Sequence, residues 1–69
     1  MSHYEIILYW SKIDVAYVAE VPELPGCMAD GKTRHEAIAN VEVVINEWID
    51  TAMELGRTIP VPKGRLIIA

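Results

Sequence analysis

The stretch from Thr33 to Gly56 places the strongest constraint on the fold, because helix-boundary residues stand at both of its ends. Thr33-Arg34-His35-Glu36 matches a capping box. In that motif the threonine hydroxyl accepts from the Glu36 N–H and the glutamate carboxylate reaches back to the Thr33 N–H. At 100° per residue, Ala37, Val41, Val44, Ile45, Trp48, Ala52 and Leu55 fall in one apolar stripe, with Glu36, Asn40, Glu47, Asp50 and Glu54 opposite. Gly56 is the natural left-handed residue after the last turn, and Arg57 sets positive charge at the negative end of the dipole. An amphipathic helix of this length needs an apolar surface to cover, and the rest of the chain reads as a sheet.

From Tyr4 to Trp10, Tyr4, Ile6, Leu8 and Trp10 alternate with Glu5, Ile7 and Tyr9, which predicts a strand with two apolar sides, both of them covered. After the short Ser11-Lys12-Ile13-Asp14 connection, Val15 to Val21 predicts a second strand antiparallel to the first. Pro22-Glu23-Leu24-Pro25-Gly26 breaks the ladder, since neither proline donates a backbone hydrogen bond and Gly26 permits unusual φ. Cys27 to Asp30 predicts a short third strand that Gly31 ends, and Ile59-Pro60-Val61-Pro62 predicts an extended connector. Arg65 to Ala69 predicts a last strand. The expected fold is therefore α+β, one small domain over residues 1–69, ordered β-β-β-α-β. A three-stranded antiparallel meander carries the helix on one face, and the right-handed crossover rule lays the final strand parallel to the first, in spatial order 3-2-1-4.

A chain of 69 residues buries only about 60% of its unfolded surface, so a dimer or tetramer is expected to supplement the core. Ten acidic residues against six basic ones give a net charge of −4, the wrong sign for wrapping phosphate backbones. Direct nucleic-acid binding is disfavoured and basic partners are favoured. Single Cys27 cannot make an internal disulfide, which fits a reducing cytoplasm, and the sequence predicts neither a membrane span nor an export signal.

Catalysis has few candidates. Glu5 and Glu20 belong to neighbouring strands, whereas Asp30 and Glu36 fall in a turn and a helix start, where capping already accounts for Glu36. His3 lies near the terminus, His35 lies in the first helical turn, and no ligand pair among Cys27, His35, His3 and Asp30 has zinc spacing. Cys27 reads as a small buried hydrophobe. No catalytic residue, metal or cofactor is expected. Between Glu36 and Glu54 the helix holds five acidic residues and no basic one. This anionic stripe, with Glu47, Asp50 and Glu54, reads either as a solvated face or as a steering surface for a basic partner. Val43 sits at the centre of that polar face, so it and the terminal Leu66, Ile67 and Ile68 are the expected contacts between subunits.

Pro22-Glu23-Leu24-Pro25-Gly26-Cys27, followed by Asp30-Gly31-Lys32-Thr33, Glu36-Ala37, a helix with Glu47-Trp48-Ile49 and the Ile59-Pro60-Val61-Pro62 tail, resembles the HicB antitoxin family over nearly the whole chain. The resemblance implies a degraded ribonuclease-H-like fold. It also implies a binding protein that occludes the active site of a small basic, mRNA-cleaving toxin of the HicA-like kind. The two prolines and Gly26 either only turn the chain or also present Glu23, Leu24 and Pro25 as a rigid recognition edge; on the antitoxin reading that edge and Glu47, Asp50 and Glu54 face the same partner. Longer members carry a DNA-binding segment after this domain. The sequence ends at Ala69, so the expectation is a short form, and its first hairpin lacks the family's glycine-rich acidic turn. The alternatives are an adaptor or small-ligand-binding domain of the same fold, and a residual metal-dependent nuclease.

Overall fold

The computed structural model describes residues 3–63. Three strands, β1 (Ile7–Ser11), β2 (Ala16–Glu20) and β3 (Met28–Gly31), form an antiparallel sheet in the order β1-β2-β3, and the helix α1 (Arg34–Glu54) crosses one face. The α+β meander is as the periodicity predicts. The final strand over Arg65 to Ala69, with Leu66, Ile67 and Ile68, lies outside the described residues.

The register sets which side chains meet the helix. Leu8 pairs with Ala19 and Trp10 with Tyr17, while Ala19 faces Ala29 and Tyr17 faces Gly31 across the next pair of strands. Because successive side chains alternate between faces, these residues line the helix side. There Ala19 packs with Val21, Leu24, Cys27, Ala37, Val41 and Ile45 in one buried cluster. The helix lies mainly over β3 and β2. At the far end of the same side, Trp10 meets Tyr17 edge-on at 5.0 Å between ring centroids, and the Arg34 guanidinium sits 4.9 Å from the Tyr17 ring.

Both helix ends follow the local chemistry. The Thr33 hydroxyl accepts from the Glu36 N–H at 3.0 Å. The Glu36 carboxylate reaches one residue further back than the capping box implies and accepts from the Lys32 N–H at 3.2 Å. At the other end the Gly56 N–H donates to the Met53 carbonyl and the Arg57 N–H to the Ala52 carbonyl, the pair of bonds of a Schellman motif. The stripe differs from expectation at two points. Leu55 is exposed because it is the cap residue after the last turn, and Ile38 and Ile49, which the stripe omits, pack against the core.

Three further expectations are corrected. Residues 4–6 are not in the ladder of β1, since the Glu5 N–H donates to the Glu23 carboxylate instead of to a neighbouring strand. Cys27 precedes β3 because its N–H and carbonyl close the loop before it. Among the described residues the second face of β1 is open: Ile7 and Tyr9 remain 42% and 41% exposed, because α1 covers the other side.

The first hairpin turns without glycine. Ser11 Oγ donates to Asp14 Oδ2 at 3.0 Å and accepts from the Asp14 N–H, a local clasp that leaves Val15 at φ 51°. A β-branched residue in the left-handed region carries strain of about 1–2 kcal/mol. Val15→Gly is therefore expected to stabilise the fold by about 0.5–1 kcal/mol, after the added freedom of the unfolded chain is subtracted. The check is a higher urea midpoint at unchanged slope.

Candidate functional site

The Pro22–Cys27 loop is two consecutive reverse turns. The Leu24 N–H donates to the Val21 carbonyl at 3.1 Å and the Cys27 N–H to the Leu24 carbonyl at 2.9 Å, so each proline stands second in its turn, where its fixed φ fits. Gly26 follows Pro25 at φ 78°, as a type II turn requires. The Val21 N–H to the Cys27 carbonyl, 2.9 Å, closes the loop at its base. Leu24 is the corner shared by both turns, and it points inward with no exposed surface. Cys27 is buried beside it, and loss of hydration pushes its thiol pKa up, away from nucleophilic chemistry.

This geometry redistributes the expected recognition edge. Leu24 holds the loop to the core from within and is not on the surface. Glu23 accepts from the Glu5 N–H at 3.2 Å through one carboxylate oxygen and from the Lys63 N–H at 2.8 Å through the other. Its side chain thus fastens the first and last described segments together. The Tyr4 hydroxyl donates to the Pro60 carbonyl in the same seam. Pro25 remains exposed, and its carbonyl accepts from Trp48 Nε1 at 2.9 Å, which ties the loop to the helix.

On α1, Glu47, Asp50 and Glu54 are exposed, as is Val43 at 57%. A groove of about 220 Å³ runs beside them, lined by Val44, Glu47, Trp48, Thr51, Ala52 and Arg57. The helix stripe is thus a solvent-facing anionic surface separated from the Pro22–Cys27 loop by Trp48.

A second surface was missed by the sequence reading. The outer side of the sheet carries Ile7, Tyr9, Val18 and Met28, with a groove of about 310 Å³ lined by Tyr9, Asp14, Val18, Met28, Ala29 and Asp30. The Tyr9 hydroxyl donates to Glu20 Oε1 at 3.0 Å. That bond, followed by desolvation and the charges of Glu20 and Asp14, raises the Tyr9 pKa and keeps the phenol protonated. The two apolar sides of β1 were the available signal.

The four acidic candidates for catalysis do not converge. Glu20 and Asp30 belong to the outer sheet side, Glu36 caps the helix on the other, and Glu5 lies before β1. Among the described residues no group of three His, Cys, Asp or Glu side chains is placed to hold a metal ion. Likewise, no helix among them is long and apolar enough to cross a membrane.

The model of a family described as the HicB-like antitoxin of bacterial toxin-antitoxin systems matches residues 4–66. The chain belongs to the HicB-like antitoxin family. Among curated relatives, a UPF0150 protein of Thermoplasma acidophilum is 40% identical over 47 residues, which is 68% of either chain. A UPF0150 protein of Synechocystis is 36% identical over 62 residues, 90% of this chain and 76% of its own. An uncharacterised 14.9 kDa protein of Haemophilus phage HP1 is 35% identical over 49 residues, and that match spans only 37% of the phage protein. No solved structure matches the chain. The match covers every element of this HicB-like domain, from the Tyr4–Pro60 seam through the double turn to the helix.

Proposed function

We propose that this HicB-like domain is a non-catalytic antitoxin that neutralises a small basic, HicA-like ribonuclease by occluding its active site. The family match over residues 4–66 carries this reading. The net charge of −4 and the exposed carboxylates of Glu47, Asp50 and Glu54 on α1 support a basic partner. Of the four carboxylates a nuclease would use, only Glu20 and Asp30 share a side, while Glu36 caps the helix and Glu5 precedes β1, which supports binding over catalysis. We place the domain, over residues 1–69, in the cytoplasm. A partial ribonuclease-H-like arrangement is part of this reading, and the anchoring of Lys63 beside Glu5 by Glu23, which returns the chain to the start of β1, supports it.

The test mixes the purified chain with the short basic product of an adjoining reading frame and follows cleavage of labelled RNA. Cleavage is expected to stop near equimolar chain. Undiminished cleavage refutes the antitoxin role, and metal-dependent cleavage by the chain itself, lost in Glu20→Ala, refutes the non-enzymatic one.

Exposed charges act over the roughly 8 Å screening distance of physiological salt, so the helix stripe contributes to encounter more than to adhesion. Replacing Glu47, Asp50 and Glu54 by Gln is expected to slow association and flatten its salt dependence, with dissociation nearly unchanged. Stopped-flow kinetics at two salt concentrations measure both rates. A homodimer or homotetramer formed through Val43 and the 66–68 segment is part of the same reading, and light scattering showing a 7.7 kDa species alone would exclude it.

A further inference from the structure

We infer that the outer side of the sheet is the adhesive surface of this domain, and that it takes a basic amphipathic element of the toxin. This rests on the antitoxin reading and names the site within it. The apolar residues there are contiguous. Tyr9 pairs directly with Val18, and Ile7 and Met28 lie on either side of Glu20 across the same three strands. Val18 is only 6% exposed because its neighbours shelter it, whereas Ile7, Tyr9 and Met28 stand 42%, 41% and 48% exposed. Single exposed hydrophobes are ordinary, but a connected set on a sheet side that no element among the described residues covers marks a contact surface.

The charge around that surface selects the occupant. Asp14 enters from the hairpin turn, while Glu20 and Asp30 come from β2 and β3. The strand residues of this side contribute those two carboxylates and no cation. A second copy docked face to face would set one group of Asp14, Glu20 and Asp30 against an equally acidic surface, which disfavours self-association here. Nucleic acid is repelled for the same reason. A helix or strand with an apolar centre and flanking Lys or Arg satisfies both the apolar groove and its rim. The site also supplies what the loop does not. With Leu24 in the core and Glu23 bound to two backbone amides, the close contacts of the complex need another surface.

The experiment titrates the ¹⁵N-labelled full chain with a synthetic amphipathic leucine–lysine helix and, separately, with its leucine–glutamate counterpart. Shifts are expected at Ile7, Tyr9, Val18 and Met28 with the lysine peptide only. Ile7→Lys combined with Met28→Lys is expected to weaken binding by roughly tenfold while far-UV circular dichroism stays native. Shifts confined to Glu47, Asp50 and Glu54, equal binding of the glutamate peptide, or no binding would each overturn the assignment. A changed oligomeric mass in the double variant would give the surface to a second copy and overturn it too. In the RNA-cleavage assay, the same variant is expected to lose neutralisation that the unaltered chain performs. Equal neutralisation by both defeats this surface and leaves the antitoxin role standing. Failure of both defeats the antitoxin role, and the peptide titration still decides the surface.

Discussion

Gly31→Ala is expected to unfold this domain or to lower its thermal midpoint by more than about 10 °C. A Cβ at Gly31 would lie 2.5 Å from the Ala37 nitrogen and 2.8 Å from the Glu36 carbonyl carbon. Both obstructions are backbone, and both belong to the first turn of α1, so no side chain can swing aside. The helix start would have to lift off β3 and take Ala37, which is fully buried, with it. Overpacking of this kind costs about 3 kcal/mol or more, a large share of the roughly 3–10 kcal/mol on which a domain of this size stands. Gly26→Ala is the informative control. No atom lies within 4 Å of its added Cβ, so only the φ of 78° opposes the change, at about 1 kcal/mol. Thermal unfolding followed by circular dichroism separates the two, and equal effects would remove the steric account of Gly31.

The second large effect is expected at Leu24, where truncation to Ala costs about 2–5 kcal/mol through lost burial and the cavity left behind. Leu24 is among the largest fully buried side chains, and it anchors both turns of the loop. Unfolding in urea and toxin binding, measured on the same variant, distinguish core from contact. A core residue shifts the urea midpoint strongly and leaves the affinity of the folded fraction nearly unchanged. A loss of affinity at normal stability would return Leu24 to the recognition edge that the loop's composition first suggested.

Those two residues also show what the sequence reveals. The start of the helix was legible at Thr33 because a capping hydroxyl and the N–H it serves lie three residues apart, and nothing distant competes for them. The end at Gly56 was legible for the same local reason. Leu24 was not. A leucine between two prolines reads as part of an exposed loop, and only the turn geometry, with each proline second in its turn, reveals that the corner points inward. Tyr4 to Ile6 has the alternation of a strand, yet a carboxylate 18 residues away takes the Glu5 N–H, a competition that periodicity cannot register. The open side of the sheet was half legible. Alternation marked β1 as apolar on both sides, but the number of faces a single helix can cover is a property of the assembled layers.

The seam at Glu23 bears on the order of assembly. The hairpin pairings and the helix join residues near in sequence, whereas Lys63 is 40 residues from Glu23 and Pro60 is 56 from Tyr4. Contacts that close long loops form late, after the local meander and helix have narrowed the search. The same contacts rest on a few exposed or half-buried hydrogen bonds at the margin of the core, so they are the first to give way in native fluctuations. The domain therefore opens like a ring with one clasp. Its two described ends part together at Glu23 while the sheet and helix stay joined.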